Sequence, residues 1–287
     1  MENKDQPKGT AGRGTLDEVR QQIDALDAEI QSLISARASL ASAVRESKGK
    51  LENAVDYYRP EREAQVLRAV RERNQGPISD AEMLRLFREI MSVCLAQQEP
   101  LKIAYLGPEG TFTQQAVNKH FGHSVQAIGL TGIDDVFAQV ESSEADFGVV
   151  PVENSNQGIV SHTLDRFVDS DLKICGEIEM AIHHNLLSQA PSLAQIERIY
   201  SHQQSLSQCR NWIRQHLPQA ECIAVSSNAE AARRVRHSPD AAAISSRSAA
   251  DIYGVPVLFA RIEDRADNAT RFLVIGRQLL TPSGDDK

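Results

Sequence analysis

Nowhere does the 287-residue sequence approach a run of roughly 18 apolar residues, so no membrane span is expected. Cysteine is scarce. Cys94, Cys175, Cys209 and Cys222 show no C-x-x-C spacing, which predicts free thiols in a reducing cytoplasm and no structural zinc. Metal-ligand spacing is missing elsewhere too, so neither metal nor cofactor is expected. A basic surplus is also absent. The formal net charge of -8 argues against a nucleic-acid partner, although local Arg and Lys clusters can still serve a polyanionic small molecule. Residues 1–14 are polar and Gly-bearing without the apolar centre of a signal peptide, and read as a flexible lead. What remains is a chain with 41% hydrophobic residues, long enough for two domains.

The first hundred residues read as helix. Leu16, Val19, Ile23, Leu26, Ile30, Leu33, Leu40 and Val44 recur at steps of three and four with one gap, the seam of a long helix packed in coiled-coil fashion. A second helix is predicted to start with Pro60 in its first turn and to carry Ala64, Leu67 and Val70, with Gly76-Pro77 as its stop. Ser79-Asp80-Ala81-Glu82 has the form of a capping box for a third helix with the seam Leu84, Phe87, Met91 and Cys94. A first helix of more than 30 residues is too long for two short helices to cover, which predicts a dimer of intertwined helices.

The gap in the first seam falls on Arg37, and the next seam position after Val44 is Lys48. Glu63 on the second helix and Gln98 after the third also fall on inward positions. Unpaired charge in an apolar interior costs several kcal/mol, so a bundle with these residues inside either ties them into interhelical salt bridges or holds something polar. Two cations against one carboxylate leave a positive surplus suited to a dianion. The series Arg20, Asp27, Arg37, Lys48, Arg62-Glu63 and Gln98 resembles the all-helical chorismate mutases over residues 15–98. The resemblance implies that Arg20 (from the partner chain), Arg37 and Arg62 bind the carboxylates of chorismate. It implies further that Lys48 and Gln98 meet the breaking ether oxygen and that Glu63 binds the ring hydroxyl. Arg59 stands where the best-known members have Asp, Cys94 where they have Ser, and Lys50 is an alternative to Lys48.

After Glu99-Pro100 short β-rich runs alternate with amphipathic pieces. The runs are 102–106, 125–128, 147–152, 199–201, 222–225, 241–245 and 272–275, and the helical pieces 133–141, 205–216 and 229–236. This alternation predicts an α/β domain with mostly parallel sheet. Polar clusters sit at strand boundaries: Gly107-Pro108-Glu109-Gly110-Thr111-Phe112-Thr113, then Glu153-Asn154-Ser155-Asn156-Gln157-Gly158 after Val149-Val150-Pro151-Val152, then Ser201-His202-Gln203 with Gln208-Cys209, and Asn268-Ala269-Thr270-Arg271-Phe272. Each alone is accounted for equally well by turn chemistry or helix capping. Three or more in one domain favour a shared cleft.

Together these strings are similar to the prephenate dehydratases over residues 101–278. The resemblance implies two α/β lobes, like periplasmic solute-binding proteins, with the site between them. It implies Thr270 as the acid, Asn154, Ser201, Gln208 and Arg271 as residues that bind or orient prephenate, Glu153, His202 and Asn268 as their support, and Thr111 and Ser155 as cleft lining. A threonine hydroxyl is a weak acid, which leaves room for proton donation through His202 or Glu153.

The expected architecture is therefore an all-α, three-helix chorismate mutase domain at 15–98, an intertwined dimer, followed by a two-lobed α/β dehydratase domain at 101–278. Residues 279–287 would be the start of a regulatory domain of the ACT type that the chain lacks, and cooperative inhibition by phenylalanine is not expected. The expected function is a cytoplasmic enzyme of phenylalanine biosynthesis that carries out both steps, with chorismate and prephenate as its small-molecule partners. Two alternatives stand beside it: a dehydratase with a helical arm used only for dimerisation, and a two-lobed binding protein without catalysis. Turnover of prephenate separates the last from the others.

Overall fold

The computed structural model describes residues 15–47, 58–97, 99–156 and 158–278; Lys48, Gln98, the lead and the tail lie outside them. By contacts the chain divides into two units, Met1–Lys50 and Leu51–Lys287. In the first, helix α1 (Leu16–Ser47) runs unbroken for 32 residues, about 48 Å at 1.5 Å per residue. Thr15 starts it with a reciprocal box: its hydroxyl accepts from the Glu18 N–H, and Glu18 accepts from the Thr15 N–H at 2.7 Å. The apolar seam is solvent-exposed, Leu16 at 66%, Ile23 at 51%, Ile30 at 54% and Leu40 at 68%.

The second unit begins with a helical hairpin, α2 (Pro60–Arg73) and α3 (Asp80–Ala96). Pro60 opens α2, where its missing N–H costs nothing. In the turn, the Asn74 side-chain amide donates to the Ile78 carbonyl and the Asp80 carboxylate. Ser79 caps α3 by accepting from the Glu82 N–H, as the sequence predicts. Ser79→Ala is expected to cost about 1 kcal/mol, which lowers a thermal unfolding midpoint by about 2–4 °C for a chain of this size. An unchanged midpoint would mean that the cap contributes nothing.

Two sheets follow. The first has the order β2-β1-β3-β11-β5, with β1 (Lys102–Leu106), β2 (Gln126–Leu130), β3 (Phe147–Asn154), β5 (Lys173–Ala181) and β11 (Ala269–Gly276), and β4 (Gly158–Ile159) added to the end of β3. The second has the order β10-β6-β9-β7-β8, with β6 (Asn185–Ser188), β7 (Arg198–His202), β8 (Glu221–Val225), β9 (Ala241–Ser245) and β10 (Val257–Phe259). Pairing is mixed and not mostly parallel. β1 with β2 and β3, and β7 with β8 and β9, are parallel. β11 lies antiparallel to β3 and β5, and β6 antiparallel to β9 and β10. The antiparallel strands arise because the chain leaves the first sheet after β5, builds the second, and returns to insert β11 between β3 and β5.

Each sheet is covered on both faces. Helix α4 (Phe112–Phe121) packs over the first sheet with a core of Ile103, Phe121, Phe147, Ile178 and Phe272; α5 (Ile133–Glu141) packs opposite, over Ala104, Val150, Leu273 and Ile275, joined there by Phe167 of α6 (Ser161–Asp169). In the second sheet β9 is buried at every residue, as a central strand covered on both sides must be. The small side chains of Ala241, Ala242 and Ala243 let α9 (Asn228–Val235) and the helices opposite approach closely. The helix expected over 205–216 is two: α7 (Gln203–Gln208) and α8 (Arg210–His216) break at Cys209. The cause is remote, since the Asp264 carboxylate accepts from the Asn211 and Trp212 N–H groups and caps α8. Tyr58, just before α2, packs against Phe121 and Phe147 with ring centroids 5.7 and 5.5 Å away, so the α2–α3 hairpin rests on the first sheet's core.

Candidate active site

The two lobes join through two crossover segments, 182–184 and 260–268, which are bonded to each other: the Ile182 N–H donates to the Asn268 carbonyl and the Ile262 N–H to that of His184. The loop after β1 reaches from the first lobe to the second. There Ser246, at the start of α10 (Arg247–Tyr253), donates to the Gly110 carbonyl, and the Tyr253 hydroxyl to that of Glu109. Gly110 has φ +87° and its Cα hydrogen faces Ala249, so a side chain there would meet both strain and a neighbour at 3.3 Å.

Beside these crossovers β3 ends and β11 begins, paired Asn154 to Thr270. The Asn154 side-chain NH2 donates to the Thr270 hydroxyl oxygen at 2.9 Å and reaches the Asn268 side-chain carbonyl at 3.2 Å. The Asn268 NH2 in turn donates to the Gln208 carbonyl oxygen at 3.3 Å. That oxygen also accepts from His184 Nε2 at 2.7 Å. Thr270 thus receives a hydrogen bond through its oxygen and keeps its own hydrogen to donate. The Gln208 NH2 and His184 Nδ1 are buried, and neither has a hydrogen-bond partner among the described residues. Buried polar atoms are rarely left so, and two of them in one network make this the candidate position for a polar ligand. Burial lowers the His184 pKa and keeps the ring neutral, although the Gln208 bond and Glu263 work against it.

The structure therefore gathers Asn154, Gln208, Asn268 and Thr270. It sends others elsewhere. Arg271 follows Thr270 on a strand, so its side chain takes the opposite face. There it binds Glu153 at 2.7 Å and Glu177 through two bonds. The Ser201 hydroxyl is fully buried between the Asn228 side-chain carbonyl and the Ile244 carbonyl. His202 caps α7 through the Gln204 N–H, and Thr111 caps α4 through that of Gln114. Ser155 ties the strand ends, donating to the Asp267 carbonyl and accepting from the Ala269 N–H.

In the helical part Arg20 is exposed beside Asp17 at 3.8 Å, Arg37 is half-buried on α1, and Arg62 is exposed with a bond to Gln65. Glu63 points inward as expected. It lies 3.6 Å from Arg88 of α3 and bonds the Tyr58 hydroxyl. Burial raises its pKa, while Arg88 and Tyr58 oppose the shift. Burial, together with the charge of Arg88, also lowers the pKa of His120 to about 4.

The comparisons with known proteins divide the chain at the same change of texture near residue 100. Residues 19–99 match the family "Chorismate mutase type II" and residues 103–279 the family "Prephenate dehydratase". A bifunctional chorismate mutase/prephenate dehydratase of Stutzerimonas stutzeri is 53% identical, over 95% of this chain and 76% of the relative. The chain belongs to this bifunctional family. The Pseudomonas aeruginosa member is 51% identical over 96% of this chain and 77% of its own. A solved prephenate dehydratase of Arthrobacter aurescens, in complex with L-Phe, superposes with a TM-score of 0.59 at 34% identity, over 63% of this chain and 62% of that one. No described helix is long and apolar enough to cross a membrane.

Two residues of the candidate site carry no motif in the sequence. Asn228, at the start of α9, accepts from the Ser201 and Ser205 hydroxyls and the His202 N–H, and so holds the end of β7 against α7. His184 enters the network from the crossover. Both act on residues 23 or more positions away, and the only sequence signal was a polar residue at an element boundary.

Proposed function

We propose that this chain, a bifunctional chorismate mutase/prephenate dehydratase, rearranges chorismate to prephenate with Arg20, Arg37, Lys48, Arg62, Glu63 and Gln98, and converts prephenate to phenylpyruvate around Thr270. The observation that carries the reading is the succession of the two family matches in one chain, 19–99 and 103–279. We keep 15–98 and 101–278 as the functional division.

The first step is pericyclic and needs no proton transfer. The cations hold the two carboxylates in the reactive conformer, and Lys48 and Gln98 stabilise charge that builds on the ether oxygen. The exposed seam of α1 supports a homodimer in which Arg20 serves the partner's site, since seven large apolar residues on one helix face need a cover. In the second step the electrons of the ring–carboxylate bond enter the ring as CO2 leaves, and the C–O bond breaks with its electrons on oxygen. That oxygen takes up a proton and departs as water. The free Thr270 hydrogen suits the departing hydroxyl, and the bond from Asn154 makes it a better donor. The Gln208 NH2 is available to a carboxylate. Arg271 with Glu153, and Ser201 and His202 with Asn228, hold the walls in place. Free thiols at all four cysteines support a cytoplasmic location.

Purified chain supplied with chorismate is expected to form prephenate first and phenylpyruvate after a lag. Prephenate accumulating alone would remove the dehydratase half of the proposal, and persistent chorismate the mutase half. Silence toward prephenate supplied directly would favour a binding protein.

A further inference from the structure

We propose that His184 is a positioning residue of the dehydratase site: it holds the Gln208 side-chain amide in the orientation that leaves its NH2 free to donate to a substrate carboxylate. The proposal rests on the reading of Thr270 and Gln208 as dehydratase residues. The Gln208 amide has two orientations of similar shape. In the one observed, its oxygen accepts from His184 Nε2 at 2.7 Å and from the Asn268 NH2 at 3.3 Å. Reversal would set its NH2 against the Asn268 NH2, whose direction is fixed through Asn154 by the Asn156 backbone N–H, and would oblige the His184 ring to move its proton from Nε2 to Nδ1. Asn268 is itself fixed, because its own carbonyl accepts from Asn154. A carbonyl oxygen cannot donate, so the hydrogen of the His184 ring sits on Nε2 and the lone pair on Nδ1. The ring is almost fully buried, at 1% exposure, and stands edge-on to Phe112 with centroids 5.6 Å apart. Phe112 opens α4, directly after the loop that bridges the lobes. His184 therefore joins three parts of the site: the crossover that carries it, the start of α4, and the end of α7. The consequence is the Gln208 NH2 beside the Thr270 set, a buried donor with no partner among the described residues.

The test is a double-mutant cycle on the full chain with prephenate as substrate. His184→Phe keeps a ring against Phe112 and removes the N–H; it is expected to lower dehydratase kcat/KM about tenfold, the worth of roughly one oriented hydrogen bond. His184→Gln can place an NH2 near the Nε2 position and is expected to restore most of the loss. In a Gln208→Leu background, His184→Phe is expected to have no further effect, because the amide it orients is gone. A merely structural role would give the same loss in both backgrounds, with no recovery in His184→Gln, and either result overturns the proposal. Emission of Trp212, the single tryptophan, reports whether the second lobe has folded. Should His184→Phe fail that check, His184→Asn decides: its NH2 falls near the Nδ1 position, so the tenfold loss is expected and full activity would overturn the proposal. A wild-type chain silent toward prephenate would sink the dehydratase reading and this proposal with it. A wild-type chain that is active, with His184→Phe unimpaired, would sink the positioning role alone.

Discussion

Thr270→Val is expected to lower dehydratase turnover by about 10²–10³-fold, with chorismate rearrangement by the same chain unchanged. Valine replaces the hydroxyl with a methyl of similar size and suits a β-strand, so the β3–β11 pairing is retained. On the role proposed for Thr270, what is lost is a donor to the departing hydroxyl, an interaction strongest once the C–O bond has begun to break. The loss therefore falls on kcat more than on KM. With chorismate supplied, prephenate should accumulate where the wild-type chain passes it on. Thr270→Ser keeps the hydroxyl and should stay within about tenfold of wild type. Asn154→Asp probes the same hydrogen from the other side. A carboxylate accepts where the amide donated, so the Thr270 hydrogen would turn back toward residue 154 and away from substrate. That substitution is expected to approach the loss of Thr270→Val. Thr270→Val within about threefold of wild type would show that its hydroxyl does not face the reacting bond.

Much of this arrangement was legible because it is local. The Ser79–Glu82 cap, Pro60 at the start of α2, the extent of α5 and the central strands all follow from chemistry within a few residues of each position. The polar strings at strand ends were legible as strings for the same reason, and three of them supply Asn154, Gln208, Asn268 and Thr270 to one network. What the strings could not give is direction. Thr270 and Arg271 read as one motif, yet strand alternation puts their side chains on opposite faces, one to Asn154 and the other to Glu153 and Glu177. Glu63 read correctly as inward, but its partners Tyr58 and Arg88 follow from how the hairpin seats on the first sheet. The break between α7 and α8 is imposed by Asp264, over 50 residues further on. Nor did the alternation of elements reveal that β11 returns antiparallel, since sheet order depends on where the chain crosses back. Asn228 and His184 belong to this second class: each matters through atoms brought near only by the finished fold.

The assignment of Arg20 to the partner's site has a sharper consequence than loss of activity. Arg20→Ala and Lys48→Ala are each expected to abolish most chorismate turnover, by about 10²-fold or more, because each removes a charge-assisted contact to the dianion or its breaking ether bond. Prephenate turnover should be unaffected in both. Mixed in equal amounts and allowed to exchange subunits, the two inactive chains are expected to recover about a quarter of wild-type mutase activity: about half the dimers are mixed, and each mixed dimer holds one complete site of two. The complete site takes Lys48 from the Arg20→Ala chain and Arg20 from the Lys48→Ala chain; the other site lacks both. If Arg20 instead served its own chain, every site in the mixture would lack one residue and no activity would return. The exposed seam of α1 is what makes exchange the natural route, since Leu16, Val19, Ile23, Leu26, Ile30 and Leu33 face solvent along the helix that carries Arg20. Mixed dimers that form, as shown by differently tagged chains purifying together, yet remain silent toward chorismate would overturn the shared site.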